Sequence, residues 1–308
     1  MDLPVIFQTM VKLLLMLILG YILNKVDILD QNTNKKLSKL IVNVTTPLLV
    51  LSSVCASGSE NRLSVLPVLG GAFLFYLGLI LFGELAARLP LFKKENRNIN
   101  ACMMVFANTA FMGIPVMQSI YGIEAIFYNS IINFPYNVFI YSYGALRLSA
   151  SADQQTRKIS VKSMLTPGFI MVLAALVIFL TGIPLPDILV ETCDMVGGIT
   201  SPLSMLVLGS TIAMYPLGES LKDLRCYLFA LFRLIIIPLI VLAVCRGLQI
   251  DSFYTGIAVL SAAMPVGSMV LMIATQCGVD TKIISRNILV TTVLSVITIP
   301  LISAVLTI

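Results

Sequence analysis

The chain contains no histidine. It therefore lacks the commonest general base, metal ligand and physiological proton shuttle. Charge is scarce as well: 11% of its residues are charged, against roughly 25% in a soluble domain, while 58% are hydrophobic and the mean hydropathy is +0.99. A chain of 308 residues with that balance is a membrane protein and not a globular enzyme. No CxxC or other metal spacing links its six cysteines, which lie in or beside apolar segments and read as small buried residues. No metal and no cofactor is expected. Paired intramembrane aspartates, HExxH and a Ser/His arrangement are missing, which excludes the known intramembrane enzyme designs and leaves no catalytic residue to name. With no nucleotide-binding motif, energy for transport has to come from substrate or ion gradients. The net charge of +5 does not point to nucleic acid, because the basic residues sit in short loops between apolar runs.

Those apolar runs, each of about 20 residues, give ten candidate spans at about 4–24, 37–56, 63–88, 98–121, 124–147, 164–183, 188–213, 223–246, 253–277 and 283–307. The first has no basic residues ahead of it and no small-residue cleavage pattern behind it, so it reads as a retained span and not a signal peptide. The longest linker, Leu148 to Ser163, separates five spans from five. The chain thus divides into 1–148, a cytoplasmic linker 149–163, and 164–308. Of the 20 lysines and arginines, all but four lie in loops after odd-numbered spans. The exceptions are Arg62 and Arg246 in even loops and Lys12 and Arg233 within spans. The positive-inside rule then places both termini outside.

Five spans per half make the two halves enter the membrane from opposite sides, as an inverted repeat does. Traces of a repeat are present. Thr45-Thr46-Pro47-Leu48 matches Thr200-Ser201-Pro202-Leu203, Tyr121-Gly122-Ile123-Glu124 matches Cys277-Gly278-Val279-Asp280, and Asp27-Ile28-Leu29 matches Asp187-Ile188-Leu189. The offsets are 155, 156 and 160 residues, and the matches occur in the same order.

Span 4 contains Asn108-Thr109-Ala110-Phe111-Met112-Gly113-Ile114-Pro115. Pro115 has no amide proton and its ring collides with the carbonyl four residues back, while Gly113 eases unwinding, so the helix should break here. In hydrocarbon such a break survives only where protein or a water-filled cavity satisfies the freed groups. The repeat predicts a matching break in span 9, where Met264-Pro265-Val266-Gly267-Ser268 supplies a proline and a glycine. Both breaks fall near mid-depth, the usual place of a transporter substrate site. Half-helix N-termini aimed at one point favour an anion, most simply a carboxylate.

Asn108 and Thr109 read as substrate contacts, against the alternative of a plain helix–helix hydrogen bond. Gly113, Pro115, Pro265 and Gly267 shape the site, and Ser268 follows the second break. Asn129, Asn133 and Asn137 recur every four residues on one face of span 5, lining the cavity or packing on a neighbour. Arg233 lies about ten residues into span 8. It is either the fixed cation for the substrate or a donor to backbone carbonyls. Lys12 is shallower and snorkels outward. Glu84 is expected to be solvated or paired with Arg88. In the scaffold, Thr46-Pro47 and Ser201-Pro202 are either cavity-lining helix breaks or kinks whose hydroxyls re-satisfy carbonyls.

The span 4 motif followed by Tyr121-Gly122, the Ala262-Ala263-Met264-Pro265 and Gly267 of span 9, and ten spans in two inverted halves resemble the auxin efflux carrier family. That family includes plant PIN-type auxin exporters and bacterial permeases associated with malate and malonate. The resemblance covers nearly the whole chain. It implies an all-α membrane fold with broken, crossing helices 4 and 9, of the bile-acid and auxin transporter type. A scaffold of spans 1, 2, 6 and 7, often dimeric, would hold a transport domain of spans 3–5 and 8–10. Asn108, Pro115, Pro265 and Gly267 match the family's motif positions. Plant members carry an acidic and a basic residue in span 3, where Leu66–Phe82 has neither, and a lysine–glutamate pair where this chain has Thr275 and Gln276. A bacterial-type carrier of small organic anions in the cytoplasmic membrane fits these departures better than an auxin exporter. A sodium-coupled symporter of the same architecture and a sensor with a transporter fold are the alternatives.

Overall fold

The computed structural model describes residues 3–56, 65–151, 185–214 and 224–306, with residue 170 and short stretches within 173–183. Most of the sixth span, the linker from 152 onward, Arg62, Arg157, Lys158, Lys162 and Lys222 lie outside the described residues. Every regular element among the described residues is helical. In chain order these are α1 (Leu3–Lys25), α2 (Gln31–Leu40), α3 (Thr46–Ala56), α4 (Val65–Ala86), α5 (Arg97–Val105), α6 (Ile114–Tyr121), α7 (Glu124–Phe139) and α8 (Ala145–Ser149). There follow α9 (Asp187–Gly197), α10 (Thr200–Ala213), α11 (Leu224–Leu231), α12 (Ile237–Gly247), α13 (Ser252–Ala263), α14 (Ser268–Gln276) and α15 (Lys282–Leu306). Four stretches among the described residues are long and apolar enough to cross a membrane: Val65–Ala86, Asp187–Ala213, Leu224–Gly247 and Lys282–Leu306.

Several joints are π-helical turns, which carry one residue more than an α turn: Ile41–Thr45, Thr109–Gly113, Ile140–Gly144 and Phe232–Ile236. In three of them a proline stands two residues beyond the last π residue, at Pro47, Pro115 and Pro238. A proline ring collides with the carbonyl four residues back, and widening the turn moves that carbonyl aside. At Pro115 the displaced carbonyl belongs to Phe111, and the Ser204 hydroxyl donates to it at 2.9 Å. The proline acts on the carbonyl that the sequence indicates, but the outcome differs from the expected break. The π turn runs on into α6 without a gap, so the helix passes through Pro115 and the Ser204 hydroxyl stands in for the amide that proline lacks. The true interruption of span 4 lies earlier, at Phe106–Asn108.

The chain forms two compact units. The first comprises residues 1–68, 110–131 and 165–214. Within it, α2–α3 and α9–α10 pair antiparallel. The Asn34 amide donates to Ser210 Oγ at 2.7 Å, Thr200 Oγ1 donates to Thr45 Oγ1 at 2.8 Å, and Gly197 lies against Leu49. Thr45 and Thr200 are the first residues of the two matched motifs. In the same unit α1 packs on α10 at backbone range: a Cβ on Gly209 would collide with the Leu17 carbonyl oxygen, and one on Gly20 with that of Leu206. Small residues permit such close approach where lipid gives no hydrophobic drive to helix association.

The second unit comprises residues 69–109, 132–164 and 215–308. Its α5 is buried from Ile99 onward, with Cys102 through Phe106 wholly inaccessible. Its α4 presents Leu74, Leu77, Leu81 and Leu85 outward along one helical face, as lipid-facing residues are. Residues 110–131, placed by the sequence reading with spans 3–5, group with the first unit.

Gly209→Ala is expected to destabilise the protein by about 1–3 kcal/mol, the usual cost of overpacking. Gly78→Ala, with no atom within 4 Å of the added carbon, should leave it unchanged or slightly firmer. Thermal unfolding in detergent, followed with a thiol-reactive fluorophore at the buried cysteines, checks both. Equal melting of the two variants would refute the close packing of α1 on α10.

Candidate functional site

Both interrupted helices contribute to the second unit. Between α5 and the π turn at Thr109, residues Phe106–Asn108 are not helical; between α13 and α14, Met264–Gly267 are likewise extended. The two extended pieces meet in a single antiparallel bridge of Ala107 with Val266. The Asn108 amide donates to the Pro265 carbonyl at 2.8 Å, and the Gly267 amide donates to the Phe106 carbonyl at 2.9 Å. The Val266 amide donates to Thr291 Oγ1 of α15 at 3.2 Å. Pro265, which has no amide proton, is tolerated in extended backbone. Each break thus supplies the partners that the other needs.

Arg233, in the π turn between α11 and α12, is completely buried. Its Nη1 donates at 2.5 Å to the carbonyl of Ala262, in the last turn of α13. A cation there meets the negative end of the helix dipole and an otherwise orphaned carbonyl. That contact answers to the second of the two sequence readings, donation to backbone. Nε and Nη2 have no hydrogen-bond partner among the described residues, so two-thirds of the guanidinium's nitrogens keep unused donors. The phenols of Tyr76 and Tyr136 are close enough to act on its charge. These two rings meet edge-on at 5.9 Å, and Tyr136 meets Phe106 of the first break at 5.4 Å.

Asn108 is 4% exposed and lies on the first of the two paired extended pieces. Thr109 Oγ1 donates to Asn133 Oδ1 at 2.5 Å, and Asn137 Nδ2 donates to the Asn133 carbonyl at 2.9 Å. Asn108, Thr109, Asn133, Asn137, Pro265, Gly267, Ser268 and Arg233 therefore all lie in the second unit. Gly113 and Pro115 lie in the first, as do Thr46, Pro47, Ser201 and Pro202. There Ser201 Oγ donates to Gln118 Oε1 at 3.3 Å, and Pro202 is exposed.

Three contributors had no visible signal. Tyr136 is masked by the asparagines around it, Thr291 looks like any hydroxyl in an apolar helix, and Ser204 caps a carbonyl 93 residues away. One pairing differs from expectation. Glu84 forms an ion pair with Arg147 and accepts from the Tyr143 hydroxyl at 2.6 Å, so Arg147 takes the place expected of Arg88. Two helices brought side by side offer Glu84 a better donor than its own next turn does.

Gly267 has an ordinary φ of −74°, so its requirement is space. A Cβ there would stand 2.7 Å from the Ala107 carbonyl oxygen and 3.0 Å from the Tyr136 hydroxyl. Gly267→Ala is expected to force the bridge open and destabilise the protein by about 1–3 kcal/mol. Its melting temperature in detergent tests this, and wild-type melting would show that the two breaks do not pair as described.

A family model described as membrane transport protein matches residues 5–303. Over 306 residues the chain is 26% identical to an uncharacterized transporter of Methanothermobacter thermautotrophicus, covering 97% of this chain and 98% of that protein. It is 22% identical over 309 residues to the uncharacterized transporter YfdV of Escherichia coli K12, covering 95% of each. A chain with interrupted helices paired in its interior, apolar helix faces outside and a match over nearly its whole length belongs to the membrane transport proteins of the auxin efflux carrier family.

Proposed function

We propose that the protein is a secondary carrier that moves a small organic anion, most simply a carboxylate, across the cytoplasmic membrane by alternating access. The observation that carries this reading is the paired break, with the buried Asn108 amide on one strand and Arg233 bound to the helix that leads into the other. A wholly buried guanidinium is costly in a membrane protein and marks a functional position. One of its nitrogens neutralises a helix end. The remaining donors, with Asn108, suit an anion that arrives with its own negative charge. Substrate-binding roles go to Asn108, Thr109, Asn133, Asn137, Ser268 and Arg233, with Pro265 and Gly267 shaping the backbone around them and Gly113 and Pro115 shaping span 4 beyond its break.

The wider architecture in this proposal is ten spans in two inverted repeats with both termini outside. The antiparallel pairing of α2–α3 with α9–α10, in which the matched residues Thr45 and Thr200 touch, supports it. A two-fold axis in the membrane plane brings equivalent residues together in just that way. Spans 1, 2, 6 and 7 act as the scaffold, through which two copies associate. Spans 8–10, with the parts of spans 3–5 outside residues 110–131, move against that scaffold and carry the anion.

The test is current from reconstituted proteoliposomes across a panel of mono- and dicarboxylates, with and without a pH gradient. Wild type is expected to give a carboxylate-dependent current that Asn108→Ala loses. The variant should still fold, since one membrane hydrogen bond averages only about 0.6 kcal/mol. Normal transport by folded Asn108→Ala would sink the proposed site.

A further inference from the structure

Apart from the paired breaks, the second unit contains a cavity of about 420 Å³, within the range of small-molecule sites. It lies where α5, α11 and α15 begin. Among the described residues four cations line it, Lys93, Arg225, Lys282 and Arg286, with two carboxylates, Glu95 and Asp280. In a chain with 20 basic residues in all, four around one cavity is a concentration that needs a reason. They come from three separate parts of the sequence, so no local charge run explains them.

One carboxylate is already engaged, since Asp280 Oδ1 accepts from the Lys282 amide at 3.0 Å. Two helix N-termini open on the cavity, those of the nine-residue α5 and the 25-residue α15. At the first, Asn96 makes no side-chain cap. Helix starts of this kind add partial positive charge and amide donors. An independent sign of a ligand is Asn287, 2% exposed and lining the cavity. Its Oδ1 has no partner among the described residues, and its Nδ2 donates only to the sulfur of Met103, at 3.6 Å. An amide so buried, with its oxygen unmet, is built to bind something that offers a donor.

We infer that this cavity binds a phosphate-bearing anion that also carries a hydroxyl. Tetrahedral phosphate accepts from several directions, as cations from three chain segments require, and arginine forks match it bidentately. The hydroxyl satisfies Asn287. The ligand is either a soluble phosphomonoester or an anionic phospholipid headgroup, because the lining loops face the cytoplasm in the topology proposed above and that leaflet presents such headgroups. Through Met103, Asn287 touches α5, the helix that ends at the first break, so occupancy stiffens one side of the crossing. Binding itself depends neither on the topology nor on transport.

The full chain in detergent is titrated with sn-glycerol 3-phosphate by calorimetry, with succinate as the carboxylate comparison. In parallel, it is melted in nanodiscs of phosphatidylcholine with and without phosphatidic acid. Binding of glycerol phosphate, weakened at least tenfold in Lys282→Gln/Arg286→Gln and retained in Lys36→Gln, is the expected result for a soluble ligand. Stabilisation only by phosphatidic acid, lost in the same double variant, supports the headgroup form. Lys93→Gln, an exposed loop change, should weaken binding too and serves if the double variant does not fold. Absence of both responses, succinate displacing glycerol phosphate with equal affinity, or binding indifferent to these substitutions would overturn the assignment. Asn108→Ala should bind glycerol phosphate normally, which separates failure here from failure of the transport reading.

Discussion

Two hydrogen bonds hold the second unit to its design: Asn108 to Pro265 and Gly267 to Phe106. In a soluble protein, water would satisfy four such backbone groups. Surrounded by apolar side chains they have only each other, and each unmet group would cost several kcal/mol. The neighbouring choices follow from this pairing. Gly267 leaves room for the Ala107 carbonyl, Thr291 serves the amide of Val266, and Arg233 holds a carbonyl at the end of α13. The buried, apolar second half of α5, Cys102 to Val105, keeps water from competing. One broken helix alone would be a defect; two of them complete one another.

The sequence located this place to within a few residues but misread how it is made. Span 9 breaks where its proline and glycine stand, and span 4 does not. Residues Phe106–Asn108 contain neither glycine nor proline, so nothing local marks them; what holds them extended is a partner more than 150 residues away. Proline and glycine statistics describe what a residue does to its own helix. They are silent on an interruption imposed by pairing. Asn108 and Thr109 stand out in the sequence because polar side chains in an apolar run are rare, and in the structure they directly follow the bridge residue Ala107. Tyr136 was not, because an aromatic ring is unremarkable there until Gly267 is seen against its hydroxyl.

Charge follows a similar economy. The helix rule that pairs residues four apart suggested Arg88 for Glu84, and the observed partner is Arg147, reached through packing of α4 beside the end of α7 and α8. Arg233 shows the opposite case, a charge with no acid beside it among the described residues. A carboxylate partner would have neutralised it permanently. A carbonyl partner anchors it and leaves its charge in force.

The π turns have a mechanical meaning. Each holds one surplus residue, stored in the helix and not looped out. If a turn tightens to α geometry and passes that residue along, everything beyond it rotates by about 100° and shifts by about 1.5 Å. Thr45, Thr109 and Arg233 all sit in such turns. A rotation of that size re-aims a side chain without breaking a helix or moving a loop. These helices carry their own slack at the positions where a side chain would need to turn.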